Sequence, residues 1–282
     1  MNFLLVVQTV IMGIVQGITE WLPISSTGHM ILFDEFMKMN VSDVFMETFL
    51  VVIQFGSILA VLFLYFDKLN PFVSIKNKGK YELAGSLPIK KETLILYTRV
   101  LIAVIPAAIV GLLFDDWIDE HFYNAYTVAA TLIIYGFAFI VIENRKTKPS
   151  IESLSDISCK TAFLIGVFQI LALIPGTSRS GSTIIGAALL GCSRFVAAEF
   201  SFFLAIPVML GASALKLIKS GMGFSPDEWG ILVIGMVTAF LVSVAAIKFL
   251  MGFIRKHDFK GFGYYRIVLG ILLIIYFVFI KM

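Results

Sequence analysis

Six stretches of this chain, at residues 45–66, 94–114, 124–143, 196–219, 228–251 and 265–281, are apolar over the length a helix needs to cross a bilayer. About 20 predominantly apolar residues cover the hydrocarbon core. In that solvent every backbone N–H and C=O must be paired within the protein, which leaves helices and closed barrels as spanning structures. Runs this long are helix-like, so the expected fold is an all-α integral membrane protein of about six transmembrane helices. Composition agrees: 59% of residues are hydrophobic and 15% charged, against roughly a quarter charged in soluble domains. A net charge of +3 is too small to suggest nucleic acid, and no such partner is expected.

Two further segments are apolar but broken. Residues 3–22 carry Gln8, Gln16 and Glu20 and run into Pro23, and a short apolar piece follows at 30–37. Residues 161–191 are interrupted at Pro175 and Gly176. A helix, a break and a short return helix make a re-entrant hairpin, tolerated at membrane depth only where protein or water covers the irregular backbone. Two such hairpins are expected, and the positive-inside rule orients them. Lys68, Lys76, Lys78, Lys80, Lys90 and Lys91 put the 67–93 connection inside, and DDWIDEH at 115–121 reads as an outer connection. Arg145, Lys146, Lys148 and Lys160 return the chain inside, Asp227 and Glu228 mark an outer loop, and Arg255, Lys256 and Lys260 an inner one. The first hairpin then opens to the outside.

The broken segments also match each other. Gly-Ile-Val-Gln at 13–16 resembles Gly-Val-Phe-Gln at 166–169, and Pro23 and Pro175, like Glu47 and Glu199, lie 152 positions apart. The run from Tyr97 resembles the run from Tyr264. One domain, residues 1–282, is therefore expected to hold two repeats at about 1–145 and 155–282, each a broken hairpin plus three spans. An odd number of spans per copy inverts the second, an architecture known from transporters. The opening MNFLLVVQTV has no basic n-region or small-residue cleavage site, so no signal peptide is expected. Cys159 and Cys192 lack metal-type spacing and are expected to be free thiols.

Chemistry is expected inside the breaks, because charge at membrane depth is costly unless it lines a cavity. The stretch 16–30, QGITEWLPISSTGHM, sets Gln16 and Glu20 four apart, on one helix face. After Pro23, the residues Ser25, Ser26, Thr27 and Gly28 have a cap-and-turn composition, with Ser26 or Thr27 expected to cap the return helix. Capping is the ordinary role of such hydroxyls. A helix N-terminus rich in N–H groups also attracts an anion, and a serine with a base in reach is a nucleophile. His29 is the candidate base or proton carrier, since His121 and His257 lie in charged connections.

The second stretch, 175–183, PGTSRSGST, centres on Arg179 between Ser178 and Ser180. An arginine at membrane depth needs an anionic partner, and its fork suits a phosphate. Gly176 and Gly181 permit close backbone approach, and Thr183 is expected to begin a new half-helix. Glu47 and Glu199 read as boundary residues, and Arg99 and Arg266 as interfacial anchors. Brought together, the two stretches would form a phosphate site inside a membrane, for a phosphate-bearing amphiphile that enters from the lipid.

The two motifs, QGITEWLPISSTGHMIL and PGTSRSGSTI, resemble those of the bacterial undecaprenyl-diphosphate phosphatase family, membrane enzymes linked to bacitracin resistance. The family's first motif, a Glu/Gln-x-x-x-Glu pair followed by serines and a histidine, is matched by Gln16, Glu20, Ser25, Ser26 and His29. Its second is matched by Pro175, Gly176, Ser178, Arg179 and Ser180, with Thr183 beyond. The resemblance implies hydrolysis of undecaprenyl diphosphate to the monophosphate and phosphate, recycling the carrier lipid of peptidoglycan synthesis. It implies Glu20, Ser26, His29 and Arg179 as catalytic residues and Gln16, Ser25, Thr27, Gly176, Ser178, Ser180 and Thr183 as substrate-binding ones. It also implies a site on the outer side of the cytoplasmic membrane and stimulation by a divalent cation such as magnesium or calcium. Gln16, where many members carry glutamate, argues against two obligatory carboxylates and against a metal held between them. Attack by Ser26 and attack by water both remain open, metal identity is not set, and a homodimer is one assembly the chain admits. The rival class is a transporter or flippase of a phosphorylated prenyl lipid, to which inverted repeats with broken helices are also suited. A non-catalytic lipid-binding role fits the density of acid–base residues less well.

Overall fold

A computed structural model describes residues 2–73, 81–84, 88–145, 147–220 and 223–280. Lys76, Lys78, Lys80 and Lys146, used above for orientation, lie outside them. In chain order the described helices are α1 (Phe3–Thr19), α2 (Ser26–Phe36), α3 (Asp43–Leu64), the one-turn α4 (Phe66–Leu69), α5 (Lys91–Phe122) and α6 (Ala125–Asn144). Then come α7 (Cys159–Ile170), α8 (Arg179–Leu189), α9 (Arg194–Ser220), α10 (Pro226–Phe253) and α11 (Lys260–Ile275). Extended pairing among the described residues is confined to isolated bridges.

Several helix starts follow side-chain caps that satisfy first-turn N–H groups. Ser42 accepts from Phe45 N for α3, Asn124 from Thr127 N for α6, and Ser225 with Glu228 closes a capping box at α10. Six helices (α3, α5, α6, α9, α10 and α11) are long and apolar enough to cross a membrane. Their outward residues recur at helical spacing, as in Ile134, Phe137 and Val141 of α6 or Val233, Val237 and Leu241 of α10. A face of that kind needs lipid against it. This is a multi-pass, all-α membrane protein.

The innermost helix is α9, with 61% of its apolar stretch buried against 28% for α5 and α6. Phe200, Phe202, Phe203 and Leu204 on it are enclosed. Glycines let the backbones close up: a Cβ on Gly166 would sit 2.2 Å from the Ala103 carbonyl oxygen, and one on Gly56 2.4 Å from that of Met236. Small residues at such crossings give the van der Waals contact that drives helix association in lipid.

The chain doubles back at two places, where α1 packs on α2 and α7 on α8. None of these four helices reaches the length of a full span, the longest being α1 at 17 residues. Exchanging α1 with α7, α2 with α8, α3 with α9, α5 with α10 and α6 with α11 returns several of the main packing pairs, although the close packing of α8 on α9 has no equal between α2 and α3. The contact of α1 with α10 becomes that of α7 with α5, and α3 with α10 becomes α9 with α5. Two of the sequence matches do not fit this exchange. Tyr97 is on α5 and Tyr264 on α11, which are not partners under it. The breaks themselves align 153 positions apart, pairing Gln16 with Gln169 and Ser25 with Ser178, so Pro23 falls opposite Gly176 rather than Pro175.

Other expectations change with the packing. The acidic 115–121 segment is no loop: α5 continues to Phe122, and Asn124 then caps α6 directly. Glu199 is buried on α9 and paired with Lys68 at 2.5 Å, whereas Glu47 is exposed near the start of α3. Arg99 ties down a turn by donating to the carbonyls of Leu154 and Ser155. Both cysteines are free, and burial pushes the Cys192 thiol up to about 11, which leaves it protonated and inert.

Candidate active site

The C-terminal end of α1 carries Gln16 and Glu20, and the break after it keeps both from lipid. Gln16 Nε2 donates to Glu20 Oε2 at 3.0 Å, as the four-residue spacing requires. Ser26 Oγ donates to the same oxygen at 3.2 Å, and Arg179 Nη2 to the other, Oε1, at 2.8 Å. Glu20 is 7% and Arg179 12% exposed, so the ion pair is nearly desolvated. A pair in that setting holds only with further hydrogen bonds around it. Arg179 has them: Nη1 donates to the Ser201 carbonyl at 2.9 Å, and the guanidinium lies 5.6 Å from the Trp21 ring. Its Nε, buried, has no partner.

The cap of α2 is Ser25, not Ser26 or Thr27. Ser25 sits at φ 73°, and its Oγ accepts from Gly28 N at 3.3 Å. The left-handed backbone at Ser25 turns the chain so that the next residue, Ser26, is the first of the helix and its hydroxyl is free to reach Glu20. Thr27 is half-buried on the first turn. The second break repeats the device: Ser178, also at φ 73°, caps α8 through Gly181 N at 3.1 Å. Thus α8 begins at Arg179, and Thr183 lies in its second turn, where its hydroxyl meets Ser201 Oγ at 2.7 Å. Ser180 reaches across to the Glu20 carbonyl at 3.3 Å. Gly176 has φ 85°, and a Cβ there would fall 2.2 Å from Thr131 Oγ1, so both conformation and space demand glycine.

The structure thus gathers Gln16, Glu20, Ser26, Arg179 and Ser180 directly, with Thr183 behind them on Ser201. Ser25, Ser178 and Gly176 shape the two turns. His29 stands apart from the carboxylate. Its Nδ1 lies 2.7 Å from the Ser25 carbonyl and its Nε2 2.6 Å from Tyr265 Oη.

Arg266 is not an anchor at the interface. It is fully buried, with Nη1 donating to the Pro23 carbonyl at 3.2 Å and Nη2 to those of Gly176 and Thr177, both at 3.0 Å. Broken helices leave carbonyls without the N–H four residues on. One guanidinium answers those of both breaks and so clips them together. Position in an apolar run says nothing of this; only the partner carbonyls, from two distant segments, reveal it. Trp21 lies within the first stretch but gains a role only from packing, which sets its ring against Arg179, and Tyr265 lies outside both stretches.

A cavity of about 570 Å³ lies elsewhere, between Lys68, Lys90, Arg99 and Glu199, and no residue of the Glu20–Arg179 cluster lines it. No group of three His, Cys, Asp or Glu among the described residues could hold a metal ion. Both Glu20 oxygens are already engaged by protein donors. This donor set does not fit a cation held by the protein alone.

The arrangement presents one carboxylate with a hydroxyl on it, an arginine with an unused donor, and two helix N-termini at one place. That is suited to binding an anion and to moving a hydroxyl's proton. A family model described as bacitracin resistance protein BacA matches residues 9–272. Undecaprenyl-diphosphatase 1 of Clostridioides difficile is 61% identical, over 98% of this chain and 97% of that protein. The undecaprenyl-diphosphatases of Acetivibrio thermocellus and Enterococcus faecalis are 57% and 56% identical, each over 98% of both chains. The chain belongs to the bacitracin resistance protein BacA family.

Proposed function

We propose that this member of the BacA family is a membrane phosphatase that hydrolyses undecaprenyl diphosphate to undecaprenyl phosphate and inorganic phosphate. It thereby recycles the carrier lipid of cell-wall synthesis and confers bacitracin resistance. The observation that carries the reading is the Glu20–Arg179 pair with Ser26 on its carboxylate, inside a protein whose curated relatives bear that activity in their names. Arg179 binds the diphosphate through its unpartnered Nε and any nitrogen the phosphate frees, and offsets the charge that builds on the transferring phosphoryl group. As Ser26 Oγ attacks the terminal phosphorus, its proton passes to Glu20 Oε2 and the P–O bond to the prenyl phosphate breaks. Water then cleaves the phosphoserine. Gln16 holds Glu20 in place, and the first-turn N–H groups of α2 and α8 add positive potential.

The site faces the outer side of the cytoplasmic membrane, as the lysines of the 67–93 connection and the acids near 115–121 support. The divalent cation implied by the family resemblance would arrive on the substrate's own phosphates, since magnesium commonly binds through substrate oxygens and few protein ligands. The test is phosphate release from the lipid diphosphate by the purified protein and by Arg179→Ala; equal rates refute the site. A phosphoserine at position 26 trapped in a single turnover supports covalent attack, and its absence points to water. Chelator should abolish release yet leave the thermal midpoint of the substrate-free protein unchanged; a lowered midpoint would mean that the protein itself holds the ion.

A further inference from the structure

We propose that Tyr265 is a catalytic residue of this phosphatase, and that His29 exchanges protons with the reaction only through its hydroxyl. The proposal rests on the phosphatase reading above and adds a residue that neither motif contains. It comes from the two partners of the imidazole. Nδ1 is 2.7 Å from the Ser25 carbonyl, an oxygen that can only accept, so Nδ1 carries a proton. In the neutral ring Nε2 is then the acceptor, and its single lone pair takes the O–H of Tyr265 at 2.6 Å. No position on the ring is left for Ser26, for water or for a phosphate oxygen.

His29 is buried at 9% exposure, whereas Tyr265 is 45% exposed. His29 follows Ser26 by three residues on α2, which puts the two on one face, about 5 Å apart along the axis. The neighbouring Arg266 is clipped to the carbonyls of both breaks, which fixes α11 against them. The phenol oxygen keeps a free lone pair, and Tyr265 is the more exposed partner of the two.

The relay balances. The attacking water loses a proton, whether it opens the phosphoserine or strikes the diphosphate itself. Tyr265 Oη takes that proton while the phenol's own proton passes to His29 Nε2. The ring now carries protons on both nitrogens, the phenol is again neutral, and the reverse path returns the proton to the phosphate product. Only O–H and N–H bonds change.

A double-mutant cycle on the full-length protein with the lipid diphosphate tests this. Tyr265→Phe and His29→Gln should each lower kcat by about 10²-fold with KM nearly unchanged, the typical weight of a proton-transfer group. The double variant should be no slower than the slower single one, because one path is cut twice. Wild-type kcat in Tyr265→Phe, or losses that multiply in the double variant, overturns the proposal. Should Tyr265→Phe fail to fold, His29→Gln decides alone, and wild-type kcat there has the same consequence. Failure of the wild-type protein to release phosphate sinks the phosphatase reading itself, a result distinct from any of these.

Discussion

The two helix breaks are alike in backbone and opposite in side chains. Each places a serine at φ 73° whose hydroxyl caps the N–H three residues on, and each follows a buried glutamine by nine positions. At the shared spacing Glu20 of the first break stands opposite Leu173 of the second, and Ser26 opposite Arg179. The first copy therefore supplies the carboxylate and hydroxyl, the second the cation. Gln16 and Gln169 show what that divergence costs. Gln16 donates to Glu20, whereas Gln169, 2% exposed, has neither amide atom partnered, because the residue four on is leucine. A shared backbone makes two turns suited to an anion, and the side chains bring a carboxylate from one and a cation from the other to one place.

The hardest strain on this comparison is to remove either charge. Arg179→Ala and Glu20→Gln should each lower kcat by about 10³-fold or more. Each also leaves the other charge or its donors buried without a match, costing on the order of 3 kcal/mol of stability. Phosphate-release kinetics and thermal unfolding in detergent measure both, and an active Glu20→Gln protein would deny the first break its chemistry.

Arg266→Met tests whether the breaks are held as one. It strips buried carbonyls of both breaks of their donor, which should cost on the order of 2–4 kcal/mol. Activity and thermal midpoint should fall together, unlike in a variant that touches substrate alone. Full stability would mean that the two turns hold each other without the clip.

The mildest test separates the two glutamines. Gln16→Leu should cut kcat about tenfold by releasing Glu20, a loss of about 1.4 kcal/mol in the barrier. Gln169→Leu should leave kcat alone and raise stability by up to about 1 kcal/mol, since it removes a buried unpartnered amide. A loss of activity in the second variant would show that both copies take part in the chemistry.

Much of this was legible in the residues. The six spans follow from apolar run length, and the breaks from Pro23, Pro175 and Gly176 with their hydroxyls. Gln16, Glu20, Ser26 and Arg179 stand out because polar groups at membrane depth need a reason. Local composition is a poor guide where it is degenerate. Three consecutive hydroxyls at 25–27 can each cap a helix, and the choice of Ser25 depends on one backbone angle. The acidic run at 115–121 reads as a turn by charge, but helix continues through it until Asn124.

The sequence by itself determined that this is a helical membrane protein with two polar breaks and which groups those breaks carry, because hydropathy and spacing act along the chain. Only the tertiary structure decided who meets whom. Glu20 takes Arg179 from 159 residues away, His29 takes Tyr265 rather than Glu20, and Arg266 leaves the interface to bind both breaks. Those choices rest on unpaired carbonyls and charges finding partners in a medium that offers no water. Such partners come from wherever packing brings them, and no local pattern announces them.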